Sequence, residues 1–448
     1  MMSPEFNRRK FVQGAAAVGG LAAIRLADGA AIGSNDRVRL GIIGVGNRGD
    51  RLLDSFLKHK DAEIVAISDV YEPYIDAAQQ KIGGKAQAYH DYRKLIEQKD
   101  IDAIVIATPD HWHALQFVEA CRAGKDVYVE KPASLTVAEG RMMVDVAKET
   151  NRVTLVGLQR RSSKFVQEAV QRIREGEIGK VSLARGYGLS NETPMGIGNP
   201  ADCDPPSELD WDMWLGPAPK VAYNPNRCLY KFRWFWDYSG GQMTNIGTHY
   251  LDVIQWALGQ DAPQSVVGMG GKYVVDDNRE VPDTMESIWQ YAGPTLVTFS
   301  QHNGNSSPGN PKNWDIEFQG TKGTLGITSR GYEIVPQNVR EQELPPLSPI
   351  GKRRGGATRT AGKPITVSGG DATVDHARNF LDCVKSRQET VCPIAVGHRS
   401  TTATLLANVS MRIGRTLQWD ASREEIVNDD KANQLLTYEY RSPWRLST

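Results

Sequence analysis

Cysteine is scarce in this chain, and its five residues include no CxxC pair, which excludes a paired-thiol zinc or redox motif and a disulfide framework. An excess of either charge is also missing. Lys and Arg number 53 and Asp and Glu number 53, so the electrostatic footprint of a nucleic-acid or anionic-membrane binder is absent. Long apolar runs are lacking as well: the Gly/Ala-rich stretch before Ala23 is broken by Gln13 and glycines and stops at Arg25, too short for a stable membrane span. What remains is a chain of 448 residues, long enough for two or three domains with their own cores, carrying 43 glycines for tight turns and close backbone approaches. A small-molecule partner fits this balance better than a polyanion.

Asn7-Arg8-Arg9-Lys10-Phe11-Val12 sets a twin arginine before that apolar stretch, the order of a charged region followed by a hydrophobic one, and it resembles a twin-arginine export signal. The segment 1–33 is therefore expected to direct a folded, soluble protein to the periplasm. Ala31-Ile32-Gly33 is a tolerable small-residue cleavage site, and no cysteine follows to take a lipid.

Residues 34–160 read as a dinucleotide-binding unit. Val38 to Ile43 has strand character and runs into Gly44-Val45-Gly46-Asn47-Arg48-Gly49, a GxGxxG at a strand-to-helix junction. The glycines serve the turn, the approach of a pyrophosphate and the helix packing, and the phosphate sits on the helix N-terminus. A second strand ends at Asp69, twenty residues beyond Gly49, where a carboxylate accepts from adenosine ribose hydroxyls and repels a 2′-phosphate. NAD is the expected cofactor. Strands at Ala103–Ala107, Asp126–Val129 and Val153–Val156 continue the alternation with helices, one of them opened by a capping box at Thr136 and Glu139. The fold class is α/β with a doubly wound parallel sheet, and Thr108 to His113 and Glu130-Lys131-Pro132 lie beyond the carboxyl ends of its strands.

That unit, with Glu130-Lys131-Pro132 after a late strand, the Thr-Pro-x-x-x-His loop at Thr108 to His113 and Gly240-Gly241 followed by His249 and Asp252, resembles the Gfo/Idh/MocA (glucose-fructose oxidoreductase / inositol dehydrogenase) family. The segments Trp211 to Pro217 and Phe235 to Gly241 look like its exported subgroup. The resemblance implies a C-terminal α/β domain, here 161–448, with a mostly antiparallel sheet open on one face for a homodimer or homotetramer. Alternation in Ser265–Val275, Met285–Tyr291, Thr295–Gln301 and Trp314–Phe318, with a hairpin turn at Gln319 to Gly323, supports such a sheet. Val374–Val384 and Ala395–Leu417 read as helices, and Gln337–Asp371, rich in Pro, Gly and charge, as a long surface loop.

By the resemblance the chain is an NAD(P)-dependent sugar or polyol dehydrogenase. Oxidation of a carbinol needs a base and a hydride acceptor. Lys131 and His249 are the candidates, with Lys131 placing the reacting hydroxyl against the nicotinamide and His249 taking its proton. Cofactor contacts are expected from Gly44, Gly46, Asn47, Arg48, Asp69, Thr108, Pro109, His113, Glu130 and Lys131, and substrate contacts from Arg160, Trp236, Asn245 and His249, with no metal. Gln159 and Arg161 are further candidates for hydroxyls or an acid group, and Trp112, Trp234 and Tyr238 for stacking on a sugar face. Family dehydrogenases carry Asp where this chain has Asn245, which leaves Asp237 or Asp252 as substitutes for the missing carboxylate. Two further readings stay open: a redox-neutral, NAD-dependent glycoside hydrolase, whose usual Thr-His-Gly is here Thr248-His249-Tyr250, and a noncatalytic sugar-binding protein.

Overall fold

The computed structural model describes residues 37–340, 358–359 and 362–446, so the expected export segment 1–33 lies outside the described residues. The first sheet is built from β1 (Val38–Ile43), β2 (Ala62–Ser68), β3 (Gln87–Tyr89), β4 (Ala103–Ile106), β5 (Asp126–Val129) and β6 (Thr154–Val156). Its order is β3-β2-β1-β4-β5-β6 with every pair parallel. β4 and β5 are buried at every position, as a sheet covered on both faces requires. The crossovers carry α1 (Asn47–Phe56), α2 (Glu72–Ile82), α3 (Tyr92–Ile96), α4 (Asp110–Arg122) and α5 (Val137–Glu149). The capping box of α5 forms as its sequence indicates: Glu139 N–H donates to Thr136 Oγ1, and Glu139 Oε2 accepts from Thr136 N–H at 2.8 Å.

The strand order reverses between β1 and β4, which opens a crevice at their carboxyl ends. The glycine loop and the Thr108 loop both emerge there.

After α6 (Lys164–Arg174) the chain forms a mixed ten-stranded sheet that begins with β7 (Val181–Leu189). It continues through β8 (Ser265–Gly271), β9 (Thr284–Gln290), β10 (Leu296–His302), β11 (Ile316–Gly320), β12 (Gly323–Thr328) and β13 (Gly331–Pro336). Only the β7–β10 pair is parallel; the rest are antiparallel. β9 alternates buried Met285, Ser287 and Trp289 with exposed Glu286, Ile288 and Gln290, so one face packs on helices and the other is open. α7 (Trp211–Leu215), α8 (Thr248–Leu258), α9 (Thr373–Ser386) and α10 (Ile394–Ile413) complete the helices used below. α9 returns to the first sheet, where Ala377, Phe380 and Leu381 join its core and Val156 N–H donates to Cys392 O at 2.9 Å.

Two expectations are corrected. Gln337–Asp371 is not all loop among its described residues: β14 (Val339–Arg340) pairs with β15 (Thr358–Arg359), and β16 (Ile365–Ser368) adds to β13 as an edge strand. Ile365 and Thr366 are exposed, so the strand is held by the free backbone of β13 and leaves little apolar signal in the sequence. The second correction is that α10 stops at Ile413, where Gly414 takes a left-handed cap at φ 76°, and Leu417 already begins β17 (Leu417–Asp420) beside β8.

Candidate functional site

Gly44 turns the chain out of β1 at φ 82°, and its N–H donates to Ser68 O at 2.8 Å, tying the loop to the end of β2. A Cβ on Gly49 would stand 1.9 Å from Gly44 O, and one on Gly46 would stand 2.0 Å from the Tyr74 ring, so both helix packing and the open cradle require glycine. Asp69 lies beside this cradle. Its Oδ2 accepts from Val45 N–H at 2.9 Å and its Oδ1 from Tyr71 N–H at 3.1 Å, leaving lone pairs on both oxygens for ribose hydroxyls. Burial pushes the carboxyl up to about 6 against the pull of these backbone donors. The cradle, the carboxylate and the helix N-terminus of α1 fit the adenosine diphosphate portion of NAD.

A cavity of about 540 Å³ runs from this cradle past Thr108, Pro109 and Asp110 to Glu130, Lys131, Asn245 and His249. Leu229, Tyr230, Phe232 and Arg233 also line it, and they belong to a stretch of the second unit that is anchored to the first: Leu209 bridges Tyr71, and Asp210 N–H donates to Val70 O at 3.0 Å.

Arg48 and Glu130 pair across the two loops, with Nε donating to Oε1 at 2.7 Å. Burial works against the Glu130 carboxylate, but Arg48 and then Lys131 hold its pKa below the ordinary value. Both residues line the cavity. His113 does not. Its Nδ1 faces Pro132 O at 2.8 Å and its Nε2 faces Thr108 O at 2.9 Å, so this expected cofactor contact is a buried clamp joining the Thr108 loop to the Lys131 loop.

The far end of the cavity holds the proton chemistry. A π-helical turn, Met243–Gly247, precedes α8 and sets Asn245 one turn before His249. Lys131 Nζ donates to Asn245 Oδ1 at 3.0 Å and to Asn245 O at 3.1 Å, while Asn245 Nδ2 donates to Gln242 Oε1 at 3.1 Å. Burial, followed by the charge of Arg233, brings the Lys131 ammonium down to about 8, against the opposing pull of Glu130 and Asp110. Burial and then Lys131 hold His249 well below its ordinary value, so its ring is neutral, and its buried Nδ1 has no partner.

The structure moves other expected residues away from the cavity. Arg160, an expected substrate contact, does not line the cavity: one nitrogen donates to Asp315 Oδ2 at 3.0 Å and the guanidinium lies over the Tyr250 ring, while its Nη1 is buried without a partner and its charge reaches His249. Trp236 donates from Nε1 to Glu280 O at 3.1 Å and takes Arg412 over its ring, again outside the cavity. Arg161 and Asp252 form a buried ion pair at 2.8 Å, and Asp237 neighbours Arg227, so neither acid replaces a carboxylate at position 245. Trp234 and Tyr238 belong to an aromatic core, whereas Trp112 and Gln159 do line the cavity.

Among the lining residues that the sequence reading gave no role are Asp110 and Arg233. Asp110, buried at the start of α4, accepts from Ser239 Oγ and lies within electrostatic reach of Lys131, with burial raising its pKa. Arg233 stands between Phe232 and the Trp234 of the aromatic core. The position directly after Thr108-Pro109 was a legible signal for Asp110; nothing local marks Arg233 among the chain's many arginines.

Comparison with known proteins matches residues 38–158 to an oxidoreductase family, NAD-binding Rossmann fold, and residues 180–302 and 370–446 to the C-terminal alpha/beta domain of the same family. A myo-inositol 2-dehydrogenase of Thermotoga maritima is 30% identical over 148 residues, 33% of this chain and 44% of that protein. A glycosyl hydrolase family 109 protein of a Shewanella species is 36% identical over 125 residues, 26% of this chain and 27% of that one. The matched stretch thus spans less than half of either relative. Among solved structures, levoglucosan dehydrogenase in complex with NADH aligns with TM-score 0.63 at 20% identity, covering 85% of this chain and 99% of that one. The scyllo-inositol dehydrogenase of Lactobacillus casei with NAD(H) and scyllo-inositol aligns with TM-score 0.59 at 19% identity, covering 85% and 99%. These likenesses extend the shared fold over both units.

Proposed function

The chain belongs to the Gfo/Idh/MocA oxidoreductase family, and from that premise we propose that it oxidises a secondary hydroxyl of a sugar, polyol or glycoside with NAD. The observation that carries the reading is the double contact of Lys131 Nζ with Asn245 in a cavity that also holds a dinucleotide cradle. NAD, when bound, supplies the hydride acceptor.

A neutral lysine amine has two N–H groups and one lone pair. Asn245 O and Oδ1 take up the two N–H groups, which leaves the lone pair free to accept the substrate's hydroxyl proton. A pKa of about 8 keeps the free amine accessible near neutral pH. This reading gives Lys131 the base role that the family resemblance assigned to His249. His249, held neutral, serves as a hydrogen-bond partner that orients the hydroxyl. With NAD held by the glycine cradle and Asp69 to supply the hydride acceptor, Lys131 would take the O–H proton and the product would be a carbonyl.

The test is nicotinamide reduction in Lys131→Met and His249→Ala proteins that still bind NAD. A loss of about 10²–10⁴-fold in the lysine variant supports the base assignment, and full turnover refutes it.

A second reading, redox-neutral glycoside cleavage through transient oxidation, is favoured by the glycosyl hydrolase family 109 similarity in the N-terminal unit. Release of the aglycone from an aryl glycoside without an external oxidant distinguishes it. Export fits either reading when the nucleotide stays bound, and the twin arginine at Arg8 and Arg9 supports a periplasmic location. Fractionation of cells carrying an Arg8→Lys, Arg9→Lys variant tests that. The open sheet face, with Met269 and Ile288 exposed, supports a homodimer or homotetramer, which light scattering tests.

A further inference from the structure

At the Lys131 end of the cavity Arg233 is a cation that the chemistry above does not use. Arg48 has the carboxylate of Glu130, and Lys131 has the two oxygens of Asn245. Arg233 donates to the backbone carbonyl of Tyr230 at 2.6 Å and lies over the rings of Tyr230 and Phe232, at 4.6 Å and 4.7 Å from their centroids. Among the described residues no carboxylate pairs with it. Two aromatic rings and a carbonyl hold the planar guanidinium in place, a pre-organised fork for two parallel hydrogen bonds.

The charge at this end of the cavity is also unbalanced. Three cations, Arg48, Lys131 and Arg233, face two carboxylates, Glu130, which is paired with Arg48, and Asp110, which is bonded to Ser239. The oxidised nicotinamide adds a further positive charge when bound. A neutral polyol filling the cavity would strip water from Arg233 without giving it a counter-ion, which is a cost. A substrate with its own carboxylate removes that cost.

We propose that Arg233 binds a carboxylate of the substrate, so that the site is selective for an acidic sugar, a uronate or aldonate, over its neutral counterpart. This rests on the oxidation reading for the identity of the site. The hydroxyl to be oxidised lies toward Lys131 and the carboxylate toward Arg233, with Tyr230 and Phe232 fixing the fork.

The experiment is calorimetric titration of the NAD-loaded protein with a hexuronate and with the matching neutral hexose, alongside titration of the NAD-free protein with NAD. The acid is expected to bind about 10- to 100-fold more tightly than the neutral sugar. Arg233→Gln should abolish that preference while leaving NAD affinity within about twofold, and Arg233→Lys, which keeps the charge but loses the fork, should restore only part of it. Equal binding of acid and neutral sugar by the native protein would overturn the proposal. So would an Arg233→Gln protein that loses NAD affinity as much as sugar affinity, which would place the arginine on the cofactor's diphosphate. Binding is read without turnover, so an acid preference with no nicotinamide reduction would refute oxidation and leave the carboxylate site standing.

Discussion

Lys131 Nζ meets Asn245 twice, at the side-chain oxygen and at the backbone carbonyl, 3.0 Å and 3.1 Å away. An amide at this position fixes the amine without giving it a counter-charge, so burial and Arg233 are free to lower its pKa to about 8. Asn in place of the family's Asp is therefore compatible with base chemistry.

Asn245→Asp tests this relationship. A carboxylate at Nζ favours the ammonium, so the Lys131 pKa rises and the acid limb of the pH–rate profile moves to higher pH. Each unit of rise removes about nine-tenths of the free amine below the new pKa, so turnover at neutral pH falls about tenfold per unit and recovers in alkali. A profile that keeps its limb near pH 8 would contradict the assignment.

Gly46→Ala fills the cradle. The new methyl group would lie 2.0 Å from the Tyr74 ring, so the ring or the loop must move into the space expected for the cofactor. NAD affinity is expected to fall with a stability loss of about 1–3 kcal/mol, measured by calorimetry and thermal unfolding.

His113→Phe removes a clamp rather than a ligand. The carbonyls of Thr108 and Pro132 lose their partner, at about 1–3 kcal/mol for each one left buried and unpaired. The melting temperature should drop, and turnover should fall because the Lys131 loop loosens; NAD affinity that falls while stability holds would instead make His113 a direct contact.

Asp252→Ala separates structural from catalytic carboxylates. Asp252 pairs with Arg161 and accepts from Ser400 Oγ at 2.8 Å, outside the cavity lining, so its loss leaves a buried arginine uncompensated at about 3–5 kcal/mol. The folded fraction should keep the native pH–rate profile.

The glycine loop, Asp69 and Lys131 were legible in the sequence because their geometry is local: a strand, a glycine turn and a helix follow one another, and Glu130 and Pro132 bracket the lysine. Choosing between Arg160 and Arg233 was not a local matter. Arg160 is held outside the cavity lining by Asp315, 155 residues further on, whereas Arg233 lines the cavity from a stretch whose start, Leu209, bridges Tyr71 beyond the end of β2. Trp236 went astray for the same reason, since Glu280 and Arg412 hold it. Likewise the edge strand β16 depends on β13 for its pairing and has few buried side chains of its own.

The most direct measurement is the single-turnover rate of nicotinamide reduction by a sugar substrate in the NAD-loaded protein, followed across pH in the native chain and in Lys131→Met. Below its pKa Lys131 already carries a proton, so the native rate should rise through pH 8 and level off above it, and the variant should be slower by at least about 10² at every pH with no such limb. A native rate that is flat through pH 8, or a variant that retains the native rate and profile, would contradict Lys131 as the base.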